Sequence, residues 1–172
     1  MIKKLEVKDF EEIFSIMEQS FPVDEYRDKQ GQRRIFDEKE YSVYGYIENQ
    51  KILGFIMVWD FTDILYIEHF AVRKESRNLG IGGKLLSFVK ENYKSPAVLE
   101  VEPPQDDLTK RRVEFYKRNG FKYNDYYYVQ PSMAKGKKEI PLKILSLPNE
   151  LSEEEFIKAR DILYSRVYKI KK

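Results

Sequence analysis

The sequence predicts an α/β fold (α+β in schemes that separate the two), with a mixed, mainly antiparallel central sheet of about seven strands flanked by helices and an extra C-terminal helix. Three observations carry that expectation. Segments with apolar residues at helical spacing interleave with short β-rich segments. The run "ILGFIMVW" is nearly all apolar, as in a strand covered on both faces. Three glycines in "RNLGIGGKLL" separate a strand-like segment from a helical one. The chain reads as one domain over residues 1–172, with its core at about 1–147 and a helical extension at about 150–170.

Leu5 and Val7 alternate with charges and suit a short first strand. Asp9 is placed to cap a helix whose apolar face is Phe10, Ile13, Phe14 and Met17, and Phe21-Pro22 ends it. "VDEYRDKQGQRRIFDEKE" reads as a polar loop with one short helix. "YSVYGYIENQKILGFIMVWDF" holds two strands around a turn at Asn49-Gln50, and "ILYIEHFAV" is a further strand. Ile81, Leu85, Phe88, Val89 and Asn92 then fall at helical spacing. "AVLEVEPP" is a strand that Pro103-Pro104 stops.

Residues 108–118 read as a helix, with Gly120 at its left-handed C-terminal position. "FKYNDYYYVQPSM" and "IPLKILSLP" are strands around a basic loop, "AKGKKE". Ser152 and Glu155 form a capping box for a last helix over residues 153–169. Its stripe of Phe156, Ala159, Ile162, Leu163, Arg166 and Val167 must cover either its own core, the reading adopted here, or a second subunit. Monomer and homodimer both remain open.

Composition removes several function classes. Apolar residues at 42% and charged residues at 35% indicate a folded globule. A net charge of +2 gives no reason to expect nucleic acid or an anionic membrane as partner. The absence of cysteine excludes thiolate nucleophiles, disulfides and thiolate metal sites, and a single histidine excludes a multi-histidine metal centre. No metal is expected. The N-terminus lacks an apolar signal core, and "ILGFIMVW" is far below the roughly 20 residues of a membrane span. A cytoplasmic protein is the expectation.

The glycines invite three phosphate-binding readings. A P-loop needs G-x-x-x-x-G-K-[ST], but Asn78 stands at its first glycine and Leu85 at its hydroxyl residue. A dinucleotide fingerprint G-x-G-x-x-G begins at Gly80 and Gly82 but meets Leu85 at the third glycine. What remains is a strand, Arg77-x-x-Gly80-x-Gly82, and a helix. Glycines there let backbone amides approach a pyrophosphate, and the helix N-terminus adds unpaired donors and a positive dipole end. Arg73, Lys74, Arg77 and Lys84 place cations nearby.

"HFAVRKESRNLGIGGKLLSFV" resembles the acyl-CoA-binding motif of the GNAT superfamily of N-acetyltransferases. "VEFYKRNGF" is similar to that family's F-Y-x-x-x-G-F block, at the expected distance downstream. The resemblance spans roughly residues 1–147 and implies acetyl-CoA, or another acyl-CoA, as donor. It implies that amides of Arg77, Asn78, Leu79, Gly80, Ile81, Gly82, Gly83 and Lys84 hold the pyrophosphate. It also implies that the backbone of Phe70, Ala71 and Val72 pairs with the pantetheine arm like an added strand.

Amine acetylation needs a base, because an alkylammonium has a pKa near 10, and an acid, because a thiolate departs. The resemblance places Tyr116, four residues before Gly120, beside the CoA sulfur as the acid. A phenol stays protonated at neutral pH and can donate. On the strand "ILYIEHFAV" the resemblance points to Glu68 and Tyr66, and Glu68 is the candidate base, acting directly or through water. Its alternative is a structural carboxylate paired with a lysine. Strict alternation puts Glu68 and His69 on opposite faces, so His69 is expected to point away from it.

Acceptor choice is assigned to "FPVDEYRDKQGQRR" and the loop before "IPLKILSLP", with Asp24, Glu25 and Tyr26 able to attract a cationic amine. The expected function is acetyl transfer from acetyl-CoA to a primary amine of a small molecule, in a ternary complex. The alternatives are a peptide or protein N-terminal acetyltransferase and a non-catalytic acyl-CoA-binding module.

Overall fold

Seven strands and five α-helices follow the expected order in the computed structural model, which describes residues 1–171. The strands belong to one mixed sheet, and the chain divides into two units, Met1–Ser95 and Pro96–Lys172.

In the first unit β1 (Ile2–Leu5), β2 (Tyr41–Glu48), β3 (Lys51–Asp60) and β4 (Leu65–Val72) are antiparallel neighbours in that order. Asn49 and Gln50 join β2 to β3 with φ of 49° and 64°, the two left-handed residues of a hairpin turn. Phe55, Ile56, Met57 and Val58 of β3 are all buried, so the strand is covered on both faces as its apolar run predicts. Against it pack α1 (Phe10–Ser20), through Phe10, Ile13 and Met17, and α3 (Ile81–Asn92), through Ile81, Leu85, Leu86 and Val89. A short helix, α2 (Lys29–Arg34), lies between α1 and β2.

Asp9 does precede α1, but its carboxylate does not cap it. Instead it accepts from the backbone amide of Glu6 at 2.9 Å, closing the 3-10 turn before the helix. Glu12 accepts from the Ile52 amide at 3.1 Å and from Arg73 Nη2 at 2.8 Å, while Arg73 Nε donates to the Ile52 carbonyl at 2.6 Å. Arg73 thus ties α1, β3 and the end of β4 together, and is not available as a loose cation for a ligand.

Gly54 pairs with Val72, and a Cβ there would lie 2.9 Å from the Ala71 carbonyl oxygen and 3.3 Å from Ile81. The obstacle is backbone and cannot turn aside. Gly54→Ala is therefore expected to cost about 1–3 kcal/mol, as for other overpacked positions. Urea unfolding checks this; an unchanged midpoint would show that β3 and β4 can part at no cost.

In the second unit β7 (Ile140–Leu147) pairs antiparallel with β5 (Ala97–Val101) on one side and β6 (Lys122–Gln130) on the other. Helix α4 (Asp107–Arg118) starts with a capping box between Asp106 and Thr109 and ends before Gly120, whose φ is +97°. Helix α5 (Glu153–Ile162) carries the expected Ser152–Glu155 capping box, and one π-helical turn, Leu163–Val167, extends it. Phe156, Ala159, Leu163 and Val167 are buried, with Phe156 stacked on Tyr126 of β6 at 4.7 Å. Tyr164 also donates to the Val129 carbonyl at 2.6 Å. The helix covers its own unit, as the reading of its stripe expects. Ile162 and Arg166 sit outside the buried set.

Candidate active site

The glycine turn is built by the chain's return from β4. After Val72 comes a 3-10 turn, Lys74–Ser76, then Asn78 at φ +64° and Gly80 at φ +75° as the N-cap of α3. Two left-handed residues so close together explain a glycine at position 80, where a side chain would be strained. The first helical bond runs from the Lys84 amide to the Gly80 carbonyl at 3.1 Å. The amides of Ile81, Gly82 and Gly83 therefore precede the ladder. At the ends of the turn, the Arg77 and Lys84 amides have partners within the chain: Arg77 N donates to Lys74 O at 3.4 Å.

A Cβ built on Gly80 or Gly83 would meet no heavy atom within 4 Å among the described residues. The turn is open on that side, and its glycines leave the space a diphosphate needs for close approach to backbone. Lys84 lies over the Tyr46 ring at 5.3 Å, and Arg77 Nε donates to the Val72 carbonyl at 3.3 Å. Phe70, Ala71 and Val72 pair through β4 with Ile56, Phe55 and Gly54. The residues present fit an acyl-CoA diphosphate.

The β3–β4 ladder slips between Met57 and Val58: Met57 faces His69, Val58 faces Ile67, and Glu68 is the extra residue of a β-bulge. The bulge breaks the alternation, so His69 does not point away from Glu68. Its Nδ1 lies 3.7 Å from Glu68 Oε2, and its Nε2 lies 2.8 Å from the Glu25 carbonyl. A carbonyl only accepts, so Nε2 carries the proton there.

Glu68 Oε1 lies 2.7 Å from Arg27 Nη2, and both side chains are buried. Burial, the largest single influence, would raise the Glu68 carboxyl; the Arg27 charge, with the His69 ring beside it, overcomes that and brings the pKa down to about 2. Tyr41 nearby is buried too, and burial together with the Glu68 charge pushes its phenol up. Sequence reasoning named Glu68 but missed Arg27, whose pairing depends on a bulge that no local pattern marks.

Because the folded carboxyl titrates below its ordinary 4.5, the stability it contributes is complete above about pH 4.5 and is lost as pH falls through about 2. That contribution is about 3 kcal/mol. Glu68→Gln should be less stable than wild type at pH 6, with the gap closing toward pH 2. A gap constant over that range, in urea unfolding, would mean the carboxylate is not held by the pair.

In the second unit Tyr116 occupies the last turn of α4, half-buried, with its ring edge-on to Phe115 at 5.4 Å and Phe121 at 5.7 Å. Its carbonyl accepts from the Asn119 amide at 3.0 Å and the Phe121 amide at 3.1 Å, which fastens the turn through Gly120. Burial raises the phenol's pKa, with Arg112 opposing, so the hydroxyl keeps its proton at neutral pH.

A strand, an open glycine turn and a helix thus follow one another, the arrangement that an acyl-CoA diphosphate needs. A family model described as the acetyltransferase (GNAT) domain matches residues 39–123. A GNAT-family candidate acetyltransferase from Bacteroides thetaiotaomicron is 31% identical, with each chain covered over 99% and a TM-score of 0.87. The candidate acetyltransferase YjbC of Bacillus subtilis (strain 168) is 29% identical over 154 residues, 88% of this chain and 78% of that protein. For the fold alone, the ribosomal-protein-S18-alanine N-acetyltransferase of Escherichia coli superposes with a TM-score of 0.64 at 19% identity, over 90% of this chain and 96% of that one. The chain belongs to the GNAT family of acetyltransferases. No helix among the described residues is long and apolar enough to cross a membrane.

Proposed function

We propose that this protein transfers an acetyl group from acetyl-CoA to a primary amine of a small molecule, by direct attack within a ternary complex. The observation that carries the reading is the open glycine turn at the head of α3, in a chain of this family. In this reading the amides of Ile81, Gly82 and Gly83 bind the diphosphate, with the turn at Asn78, Leu79 and Gly80 shaping the approach and Arg77 and Lys84 adding charge. Phe70, Ala71 and Val72 offer backbone to the pantetheine arm. When bound, acetyl-CoA supplies the activated acyl group.

Tyr116 holds a proton on its phenol oxygen and gives it to the departing sulfur. The amine must reach the site neutral. Moving a proton from an ammonium with pKa near 10 to a carboxyl with pKa about 2 is uphill by about 8 units, roughly 11 kcal/mol. Of the two acceptors the sequence leaves open, Glu68 or water, the Arg27 ion pair counts against Glu68. An amine with pKa near 10 instead loses its proton to bulk solvent before it attacks, at a cost of about 3 units at pH 7, roughly 4 kcal/mol.

Thiol release from acetyl-CoA over a panel of spermidine, kanamycin, free lysine and a short alanine-terminated peptide tests the proposal. Release with a small amine is the expected result. Release with the peptide alone would make the protein a peptide or protein N-terminal acetyltransferase. No release from any of them, with acetyl-CoA bound, would make it a binding module.

A further inference from the structure

Between α1 and α2 the chain runs through residues 21–28, with one 3-10 turn at Val23–Glu25 as its regular structure. Attachments of this loop to β4 reach both residues at the bulge. Arg27 Nη2 pairs with Glu68 Oε1 at 2.7 Å. The Glu25 carbonyl accepts from His69 Nε2 at 2.8 Å. The Phe21 ring meets the His69 ring edge-on at 5.0 Å. An unbroken ladder would put neighbouring side chains on opposite faces of β4, and the extra residue lets both reach the same loop.

A buried ion pair is seldom retained for stability alone, since apolar residues of the same volume hold a core as well. What it adds is direction, because a guanidinium and a carboxylate meet in few geometries. We propose that Glu68 and His69 are positioning residues: they set the loop of residues 21–28, and through it the affinity for the amine, without taking a proton themselves. The proposal rests on the reading of that loop as the acceptor-side wall.

Hydrogen exchange of residues 21–28 tests it without an acceptor, so the result stands whether or not any panel amine is turned over. Glu68→Gln and Arg27→Met should both raise exchange there on the order of 10²-fold, since either leaves a buried charge unmatched. Arg27→Lys keeps the charge and should restore most of the protection. His69→Phe keeps the ring contact and removes the donor, giving a milder rise at Glu25. Exchange in α3 should rise no further than the loss of global stability seen in urea unfolding accounts for, and the thermal shift with acetyl-CoA should stay at its wild-type value in all four. With the best amine of the panel, KM for the amine should rise in Glu68→Gln and Arg27→Met alike, with kcat within a few-fold of wild type.

A proton-accepting Glu68 gives a different pattern. Glu68→Gln would then lose kcat with the loop still protected, and Arg27→Met would move the pH–rate profile by releasing the carboxyl. Either result overturns the proposal. So does exchange in residues 21–28 that rises no more than exchange in β3 and α3, which would make the pair a core element only. If Glu68→Gln does not fold, His69→Phe and Arg27→Lys decide the matter by the same readout.

Discussion

Tyr116→Phe should lower kcat by 10²- to 10⁴-fold, roughly 3 to 5 kcal/mol of barrier, while KM for acetyl-CoA stays within a few-fold. The substitution keeps the ring that lies edge-on to Phe115 and Phe121, so packing is preserved. It leaves the backbone carbonyl that fastens Asn119 and Phe121 untouched. What it removes is one proton, held firmly because burial raises the phenol's pKa. In the proposed reaction that proton matters as charge develops on the departing sulfur, and little before, so binding should hardly change. A purely structural Tyr116 predicts the reverse, a mild rate change with some loss of stability. Steady-state kinetics with a good acceptor, beside thermal unfolding, separates the two. A Phe variant near wild-type kcat would leave water as the proton source.

Gly82→Val should abolish stabilisation by acetyl-CoA. At 100 times its dissociation constant a ligand adds about 2.7 kcal/mol to the wild type, which for a chain of this length raises Tm by roughly 5 to 10 °C. Gly82 is the second residue of α3, between amides that precede the helical ladder. A valine there puts a branched side chain where the diphosphate must approach, while its own cost to the helix stays within about 1 kcal/mol. The variant should therefore fold, and melt at the same temperature with and without acetyl-CoA. A wild type whose Tm does not move with millimolar acetyl-CoA would overturn the assignment of the turn.

The glycine turn was legible because every part of it is local. Strand period, glycine spacing and helical period all lie within a few turns of chain around Gly80, and the left-handed φ there is a demand that glycine meets. The hairpin at Asn49 and Gln50 and the capping box at Ser152 and Glu155 were legible for the same reason: a turn or cap is specified by residues a few positions apart. The F-Y-x-x-x-G-F block likewise sits within α4 and the turn that follows it.

Elsewhere local patterns pointed the wrong way. Alternation along β4 set His69 opposite Glu68, and a one-residue slip against β3 brought them to the same loop. Asp9 has the type and place of a helix cap, yet its carboxylate closes the turn before the helix. Arg73 looked like a cation beside the phosphate turn, and the fold commits it to Glu12 and Ile52.

By itself, then, the sequence determined the order of elements, the family motifs and the glycine turn, because hydrophobic period, backbone φ and caps are set by neighbours in the chain. Only the tertiary structure paired Glu68 with Arg27. Its partner Arg27 is distant in sequence, and whether a carboxylate is a base or one half of an ion pair depends on what burial places within 3 Å of it.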